Sequence, residues 1–491
     1  MRAEKNDLFF RFITLKDLVV FILGICTSLG FLYSKLYFLS LLSYFLFLNN
    51  IVSKNNCRNT RQFFIFYFSF FLIGCHWLIH PLRDFGGLPS LLSNLVIGLF
   101  CVYLSSIMVL GIFLFNRFFK NAQYETFILA AIITLCEFVR TQALGGFPFL
   151  MMGYLTINTV LDGYIPIIGV YGMTFLMTYL FLKIKDLNRN KLQSILLISL
   201  FSLTTLILHH IHWTKAKAPL QIGVIQTDTR KDIFINSIDS DVVRYIFMSI
   251  KQLPSSHFII WPEGSFVLND HLISLGTPNQ LLVGGVFGLP KDTNHLPKNL
   301  LVTFNSDGEI LHVHQKYYLA QFNETIPDYF TWLLKILHLP HIGLEKGSGN
   351  DVIFNSKYGR IGNLICYELL FPQLSHHVGK EVNAFFVVSD LSWFLDSSFN
   401  HQYDLAAKFL ARSVEKPITI ANNYGASIWI DHHGRKINSL QAQSRDVGSE
   451  TMLTRKGSTP ICYYGDFMII YILALCILFV NILSRYQLYR K

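Results

Sequence analysis

The sequence predicts a polytopic membrane α-helical bundle joined to an α/β sandwich of stacked sheets covered by helices. Three observations lead there. The 491-residue chain is 52% hydrophobic and only 15% charged, too apolar for an ordinary soluble protein. That apolarity is uneven: long apolar runs fill residues 15–213 and return at 467–483, whereas 220–460 has the composition of a globular domain. Within that middle stretch short β-prone runs interleave with helical patterns. Several strand cores, such as Phe258-Ile259-Ile260 and residues 384–388, are apolar without alternation, as in sheets buried on both faces.

A spanning helix needs about 20 apolar residues. Spans are expected near 15–34, 36–53, 63–80, 90–115, 123–142, 163–182 and 193–212, with an eighth at 467–484. Only Ser34-Lys35 divides the first two, so one kinked element is the alternative. Met1 to Lys16 is basic at its start and lacks a small-residue cleavage site after the first apolar run, which reads as a retained anchor. With the N-terminus inside, segments 1–16, 54–61, 117–120, 183–191 and 485–491 hold sixteen Lys and Arg residues, and the outer loops hold only Lys35, Arg83 and Arg140. That asymmetry places the globular part on the outer face and the C-terminus in the cytoplasm. The expected division is a membrane domain at 1–216, a globular domain at 217–462, and a final span with a short tail at 463–491.

The net charge of +10 lies largely in these short loops. It is therefore a topology signal and argues against a nucleic-acid partner. Of eight cysteines only Cys366 and Cys462 fall in the globular part, which excludes a disulfide framework and leaves Cys366 free. Near the end of the fifth span, Glu137 and Arg140 are spaced to meet on one helix face, as a functional pair or a self-neutralising one. The following Gly145-Gly146-Phe147-Pro148-Phe149 cannot continue a helix and should form a loop at the outer surface. His76 and His80 have metal-ligand spacing without a third ligand, so no metal is expected.

In the globular part, strands are expected at 221–226, 257–261, 281–287, 300–305, 310–315, 359–365, 383–389, 418–421 and 427–431, with helices at 241–252 and 401–415. Asn305-Ser306-Asp307-Gly308 reads as a hairpin turn. Three strand ends carry complementary chemistry: Glu263 after Trp261-Pro262, Lys316 after His314-Gln315, and Cys366 after Leu364-Ile365. A lone cysteine after a strand is ordinarily a small buried hydrophobe, but a carboxylate and an ammonium at equivalent ends change that reading. A thiol with a free pKa near about 8.5 needs a base or a cation to react at neutral pH. Glu263 can take the proton, and Lys316 can lower the thiol pKa and balance an oxyanion. The N–H of Tyr367 is a second oxyanion donor, while Glu324 and Glu368 can hold Lys316 or relay a proton. His209, His210, His212 and His401 lie beside none of these ends.

Ile260-Trp261-Pro262-Glu263, His314-Gln315-Lys316 and Leu364-Ile365-Cys366-Tyr367-Glu368 resemble the Glu-Lys-Cys triad of the nitrilase superfamily. With the flanking spans, the whole chain is similar to the apolipoprotein N-acyltransferase family. Glu137-Phe138-Val139-Arg140 with Gly146-Phe147-Pro148 resembles the family's membrane-half motif, and Phe322-Asn323-Glu324 the loop that supplies a further glutamate. Ser392-Trp393-Phe394 and Asn422-Asn423-Tyr424-Gly425 match later landmarks. The chain departs from the family pattern at Gln321, Asn323, Asp390, Leu391 and Ile420.

The resemblance implies a nitrilase-like αββα sandwich with Glu263 as base, Lys316 as stabiliser and Cys366 as nucleophile, supported by Glu324, Tyr367, Glu368 and Trp261. It implies no cofactor. It further implies acyl transfer from a membrane glycerophospholipid, through a thioester, to the α-amine of a diacylated apolipoprotein, in the bacterial inner membrane with the catalytic domain on its periplasmic face. The rival readings are a membrane-tethered amidase or hydrolase, in which water takes the acyl group, and a transporter or receptor with an outer binding domain. Loops at 344–350 and 145–149 are candidates for gating access.

Overall fold

The computed structural model describes residues 14–51, 56–119, 124–184, 191–228, 240–267, 277–289, 295–321, 324–325, 336 and 343–489. Seven long helices come first: α1 (Leu15–Leu32), α2 (Tyr37–Ile51), α3 (Asn56–Gly74), α4 (Ser90–Phe118), α5 (Glu125–Gln142), α6 (Ile165–Ile184) and α7 (Lys191–His210). Thr14 starts α1 with a capping box: its hydroxyl accepts from the Asp17 N–H, and the Asp17 carboxylate accepts from the Thr14 N–H. Phe47 on α2 stacks on Phe66 of α3 with 3.5 Å between ring centroids.

Among the described residues, five helical segments are long and apolar enough to cross a membrane: Leu15–Leu32, Ser90–Phe118, Glu125–Gly145, Asp162–Ile184 and Pro460–Ile482. Thr60–Gly74 and His76–Phe85, bent by 51° against each other, make a sixth if taken together. The first two expected spans are separate helices, divided by a short 3-10 turn at Ser34–Leu36. At 15 residues α2 reaches only about 22 Å. Many of the basic residues behind the expected orientation, including Lys54, Lys120, Lys185, Arg189 and Arg490, lie outside the described residues.

Beyond the bundle the described strands are β1 (Thr214–Gln226), β2 (Phe258–Val267), β3 (Leu281–Gly288), β4 (Lys298–Phe304), β5 (Ile310–Gln315), β6 (Ile353–Ser356), β7 (Gly359–Ile365), β8 (Ala384–Asp390), β9 (Ile418–Asn423), β10 (Ile428–Ile430), β11 (Lys436–Ser439) and β12 (Asp446–Gly457). The helices among them are α8 (Ser240–Ile250), α9 (Pro372–Gly379) and α10 (Ser398–Val414), and α11 (Pro460–Tyr489) closes the chain. Two six-stranded sheets result, in the orders β12-β1-β2-β3-β4-β5 and β11-β10-β9-β8-β7-β6. The parallel pairs β1–β2–β3 and β7–β8–β9 form their centres.

The sheets stack through Phe258, Ile260, Val283, Ile365, Phe386 and Val388, all buried between them. Ile259, Trp261, Leu282 and Val302 face the other way, toward α8. On the far side Leu364, Phe385 and Val387 join a core continuous with α9, α10 and the membrane helices. The layers are thus helix, sheet, sheet, helix, and this accounts for the unbroken apolar strands: both faces are covered. β1 begins seven residues earlier than expected: its first part pairs with β12, but Lys215, Ala216 and Lys217 are all exposed there and leave no apolar pattern. The edge strands β6, β11 and β12 lack the apolar signal that marks buried ones.

Candidate active site

Glu263 lies on β2 just past Trp261, where the register with β3 slips between Trp261 and Phe266. A bulge of this kind bends a strand and re-aims its side chains. Two glycines permit it: Gly264 has φ +60°, and a Cβ on Gly285 would stand 2.3 Å from the Glu263 Cα. Lys316 follows the last residue of β5, its N–H bonded to the Asn299 carbonyl at 3.0 Å. Cys366 follows β7 and takes φ +46°, a left-handed conformation costly for a residue with a Cβ and typical of sites where geometry is imposed. Tyr403 on α10 donates its hydroxyl to the Cys366 carbonyl at 3.1 Å and pairs with Ser389 at 2.6 Å.

These strand ends converge. The buried Lys316 Nζ is 2.9 Å from Glu263 Oε1 and 2.8 Å from Glu324 Oε1. Asn299 on β4, not anticipated from the sequence, donates to the same two oxygens at 2.6 and 2.9 Å. The second oxygen of Glu263 accepts the Asp390 N–H at 3.0 Å, and that of Glu324 accepts the Ala320 N–H at 2.8 Å. Two carboxylates therefore share one ammonium and one amide. Burial works against the Lys316 charge, but the two carboxylates outweigh it and hold its pKa well above the ordinary lysine value.

Around the thiol the balance runs the other way. Burial and then the Glu263 carboxylate push the Cys366 pKa well above its usual value, and the opposing pull of Lys316 and the Asp390 N–H does not compensate. Lys316 does lower the thiol pKa, as expected, but burial and the Glu263 carboxylate outweigh it, so the balance favours the neutral thiol.

Glu368 does not touch Lys316; its oxygens accept the Ile365 N–H at 2.7 Å and the Tyr317 N–H at 2.6 Å and lie 2.9 Å from His314 Nε2. Trp261 faces α8, on the side of its sheet away from the inter-sheet core. Tyr367 reaches out of the sandwich, and its hydroxyl donates to the Gly146 carbonyl at 3.1 Å.

Gly146 belongs to the loop after α5, which is buried rather than displayed at the surface: Phe147, Pro148, Phe149 and Leu150 are all inside. Arg140 directs its polar atoms to this loop, and Glu137 to the backbone just after it and to α6, instead of to each other. Arg140 Nη1 donates to the carbonyls of Phe147 at 2.7 Å and Phe149 at 2.6 Å. Glu137 accepts the Met152 N–H at 3.0 Å and the Thr174 hydroxyl at 2.7 Å. The loop packs Phe147 and Phe149 around Trp77, which also meets Phe394 and Phe399 of the sandwich. A Cβ on Gly146, at φ +83°, would stand 2.4 Å from the Thr141 carbonyl oxygen.

Of the positions that depart from the family pattern, Gln321 lies against Gly145. The Asp390 carboxylate accepts from Ser392 and Asn423. Leu391 and Ile420 are core residues. Phe322 and Asn323 lie outside the described residues. The candidate gating loop at 344–350 is tied to the site, with Leu344 N–H on the Glu324 carbonyl and Gly347 N–H on the Lys316 carbonyl, both at 2.8 Å. His80 pairs with Asp84 at 2.7 Å, and the described residues contain no cluster of three or more metal-ligating groups.

Comparison with known proteins agrees in both halves. Residues 23–182 match the model of the apolipoprotein N-acyltransferase N-terminal domain, and residues 274–453 match that of carbon-nitrogen hydrolase. The apolipoprotein N-acyltransferase of Haemophilus influenzae is 27% identical over 94% of this chain and 92% of its own. That of Haemophilus ducreyi is 25% identical over 84% and 85%, and that of Wigglesworthia glossinidia brevipalpis 24% over 87% and 90%. The solved structure of Saccharomyces cerevisiae Nit3, a member of branch 10 of the nitrilase superfamily, is similar over 49% of this chain and 91% of its own at 17% identity, with a TM-score of 0.38, too low to argue from. A membrane-helix half and a carbon-nitrogen hydrolase half in one chain, matched over 84–94% of its length by these relatives, make the protein a member of the apolipoprotein N-acyltransferase family.

Proposed function

We propose that this acyltransferase moves an acyl chain from a membrane glycerophospholipid to the α-amine of a diacylglyceryl cysteine at the N-terminus of an apolipoprotein. Cys366 Sγ attacks the ester carbonyl carbon as its proton passes to Glu263. Lys316 and the Tyr367 N–H stabilise the oxyanion. Collapse breaks the carbon–oxygen bond, and the proton on Glu263 goes to the leaving glycerol oxygen, releasing a lysophospholipid. The lipoprotein amine then attacks the thioester carbon, losing a proton to Glu263. The new amide forms, the carbon–sulfur bond breaks, and the proton returns to the sulfur. Glu324 and Asn299 keep Lys316 and Glu263 in register throughout.

The observation that carries this reading is the 3.1 Å contact from Tyr367, the residue after the proposed nucleophile, to Gly146 in the loop clamped by Glu137 and Arg140. It ties the reacting thiol to the membrane bundle rather than to open solvent. Extracting an acyl chain into water costs about 0.8 kcal/mol per CH₂, which a site at the bilayer surface avoids. The neutral thiol fits as well, since attack is then coupled to proton transfer to Glu263 instead of leaving a standing thiolate exposed to water. We further propose the division at 1–216, 217–462 and 463–491, residence in the inner membrane, and a periplasmic catalytic domain.

The test is to incubate the purified protein with acyl-labelled phospholipid and a diacylated lipopeptide and to weigh the products. Triacylated peptide is expected. Free fatty acid alone would assign a hydrolase, and no acyl product would leave a transporter or receptor.

A further inference from the structure

His314 is fully buried, and each of its ring nitrogens faces a carboxylate: Nδ1 lies 3.0 Å from Asp351 Oδ1 and Nε2 lies 2.9 Å from Glu368 Oε2. Both nitrogens must donate, so the ring carries a proton on each and is an imidazolium. The remaining oxygens of the two carboxylates are engaged by backbone. Asp351 Oδ2 accepts the Gln315 N–H at 3.0 Å, and Glu368 Oε1 accepts the Tyr317 N–H at 2.6 Å. Glu368 Oε2 also accepts the Ile365 N–H at 2.7 Å. These three amides flank the reacting groups, since Gln315 and Tyr317 bracket Lys316 and Ile365 precedes Cys366.

We infer that His314 is a positioning residue for acyl transfer, a brace that fixes the distance between the strand end carrying Lys316 and the strand end carrying Cys366. This rests on the roles proposed above for Lys316 and Cys366. The ring touches neither, so its influence runs through Glu368 and Asp351. Burial alone would discharge an imidazole, but Glu368 and then Asp351 reverse that and raise its pKa to about 9. The neighbouring His312, bonded to the Asp351 carbonyl, has its own pKa lowered, chiefly by burial, and so adds no competing charge. Cys366 already holds a left-handed backbone. A brace on the preceding amide is what such a conformation needs to persist. Misplacement of reacting groups by about 1 Å can cost roughly 100-fold in rate.

Two variants of the full-length protein test this, His314→Gln and the double variant His314→Gln with Glu368→Gln, which leaves no lone buried carboxylate at that end. Two rates are read on each: alkylation of Cys366 by iodoacetamide against pH, located by peptide mass, and formation of the phospholipid-derived adduct. The brace predicts that both variants lose roughly 10- to 100-fold in adduct formation at unchanged apparent KM for phospholipid, with the Cys366 alkylation profile moved to higher pH. If H314Q fails to fold, the double variant alone decides. Wild-type rates and alkylation in a folded double variant would overturn the inference, because His314 would then only balance charge. If wild-type protein forms no lipid adduct while the alkylation shift is still seen, the brace stands and the assigned substrate fails.

Discussion

In α5, Arg140 directs its hydrogen bonds to carbonyls of one loop and Glu137 to the Met152 N–H and the Thr174 hydroxyl of α6, whereas at the strand ends Glu263 and Glu324 share the side chains of Lys316 and Asn299. The two clusters neutralise buried charge by different means, and the difference separates a fastening from the proposed reaction centre. Backbone carbonyls and amides are fixed dipoles that neither titrate nor move, so the Glu137–Arg140 loop is held in one shape. Side-chain partners can exchange a proton. An ammonium shared by two carboxylates, beside a thiol kept neutral by burial, is arranged for a change of charge state. The aromatic packing of Trp77 on Phe149 and Phe399 joins the fastening to the centre.

The comparison is tested most severely at Cys366. Cys366→Ala should reduce acyl transfer to the uncatalysed background, a loss on the order of 10⁴-fold or more, with an unchanged melting temperature as the control. Lys316→Met leaves Glu263 and Glu324 facing each other without their cation. Transfer should fall on the order of 10²- to 10³-fold, measured as single-turnover adduct formation.

At the fastening the loss should appear first as stability. Arg140→Met abandons the buried carbonyls of Phe147 and Phe149, each worth about 1–3 kcal/mol when left unpaired. Thermal unfolding in detergent should register it. Arg140→Lys, which keeps the charge but not the fork, should fall between the two. If R140M matched wild type in stability and lost only activity, the division into fastening and centre would fail.

A smaller effect is expected with pH. His314 has its folded pKa raised to about 9, above the unfolded value of about 6.5. Its contribution to stability is therefore complete below about pH 6.5 and is lost as pH rises through about 9. Melting temperature should decline over that window in wild type and decline less in a folded His314→Gln variant. The smallest effect belongs to the exposed Arg360–Glu381 pair at 2.8 Å. Arg360→Ala should change stability by no more than about 1 kcal/mol, which calibrates the buried sites against a surface one.

Much of this was legible in the sequence for a physical reason. Glu263, Lys316 and Cys366 each end an apolar β-prone run, and apolar runs are what hydrophobic patterning detects. Most helices were legible on the same ground, with their ends displaced by a few residues, but the short α9 at Pro372–Gly379 was not expected. Asn299, Asp390 and Tyr403 were not, because they reach the site through strand pairing, a backbone amide and a helix face, none of which leaves a local pattern. Glu368 was visible as a motif residue, but its role depends on His314 and Asp351, which only the fold brings to it. The loop at 145–149 was legible as a helix break, but not its burial from Gly146 onward. Its Phe147-Pro148-Phe149 is apolar enough to be buried, and its aromatic partners come from residues 77, 100, 367 and 399.

The central claim is that Cys366 carries the acyl group between two lipids. Wild-type protein incubated with phospholipid alone, then digested and weighed, should yield the Cys366 peptide heavier by one acyl chain, and a chase with diacylated lipopeptide should remove that mass and return it as triacylated peptide. An unmodified Cys366 peptide during turnover, or an adduct that decays to free fatty acid at the same rate with and without lipopeptide, would contradict it.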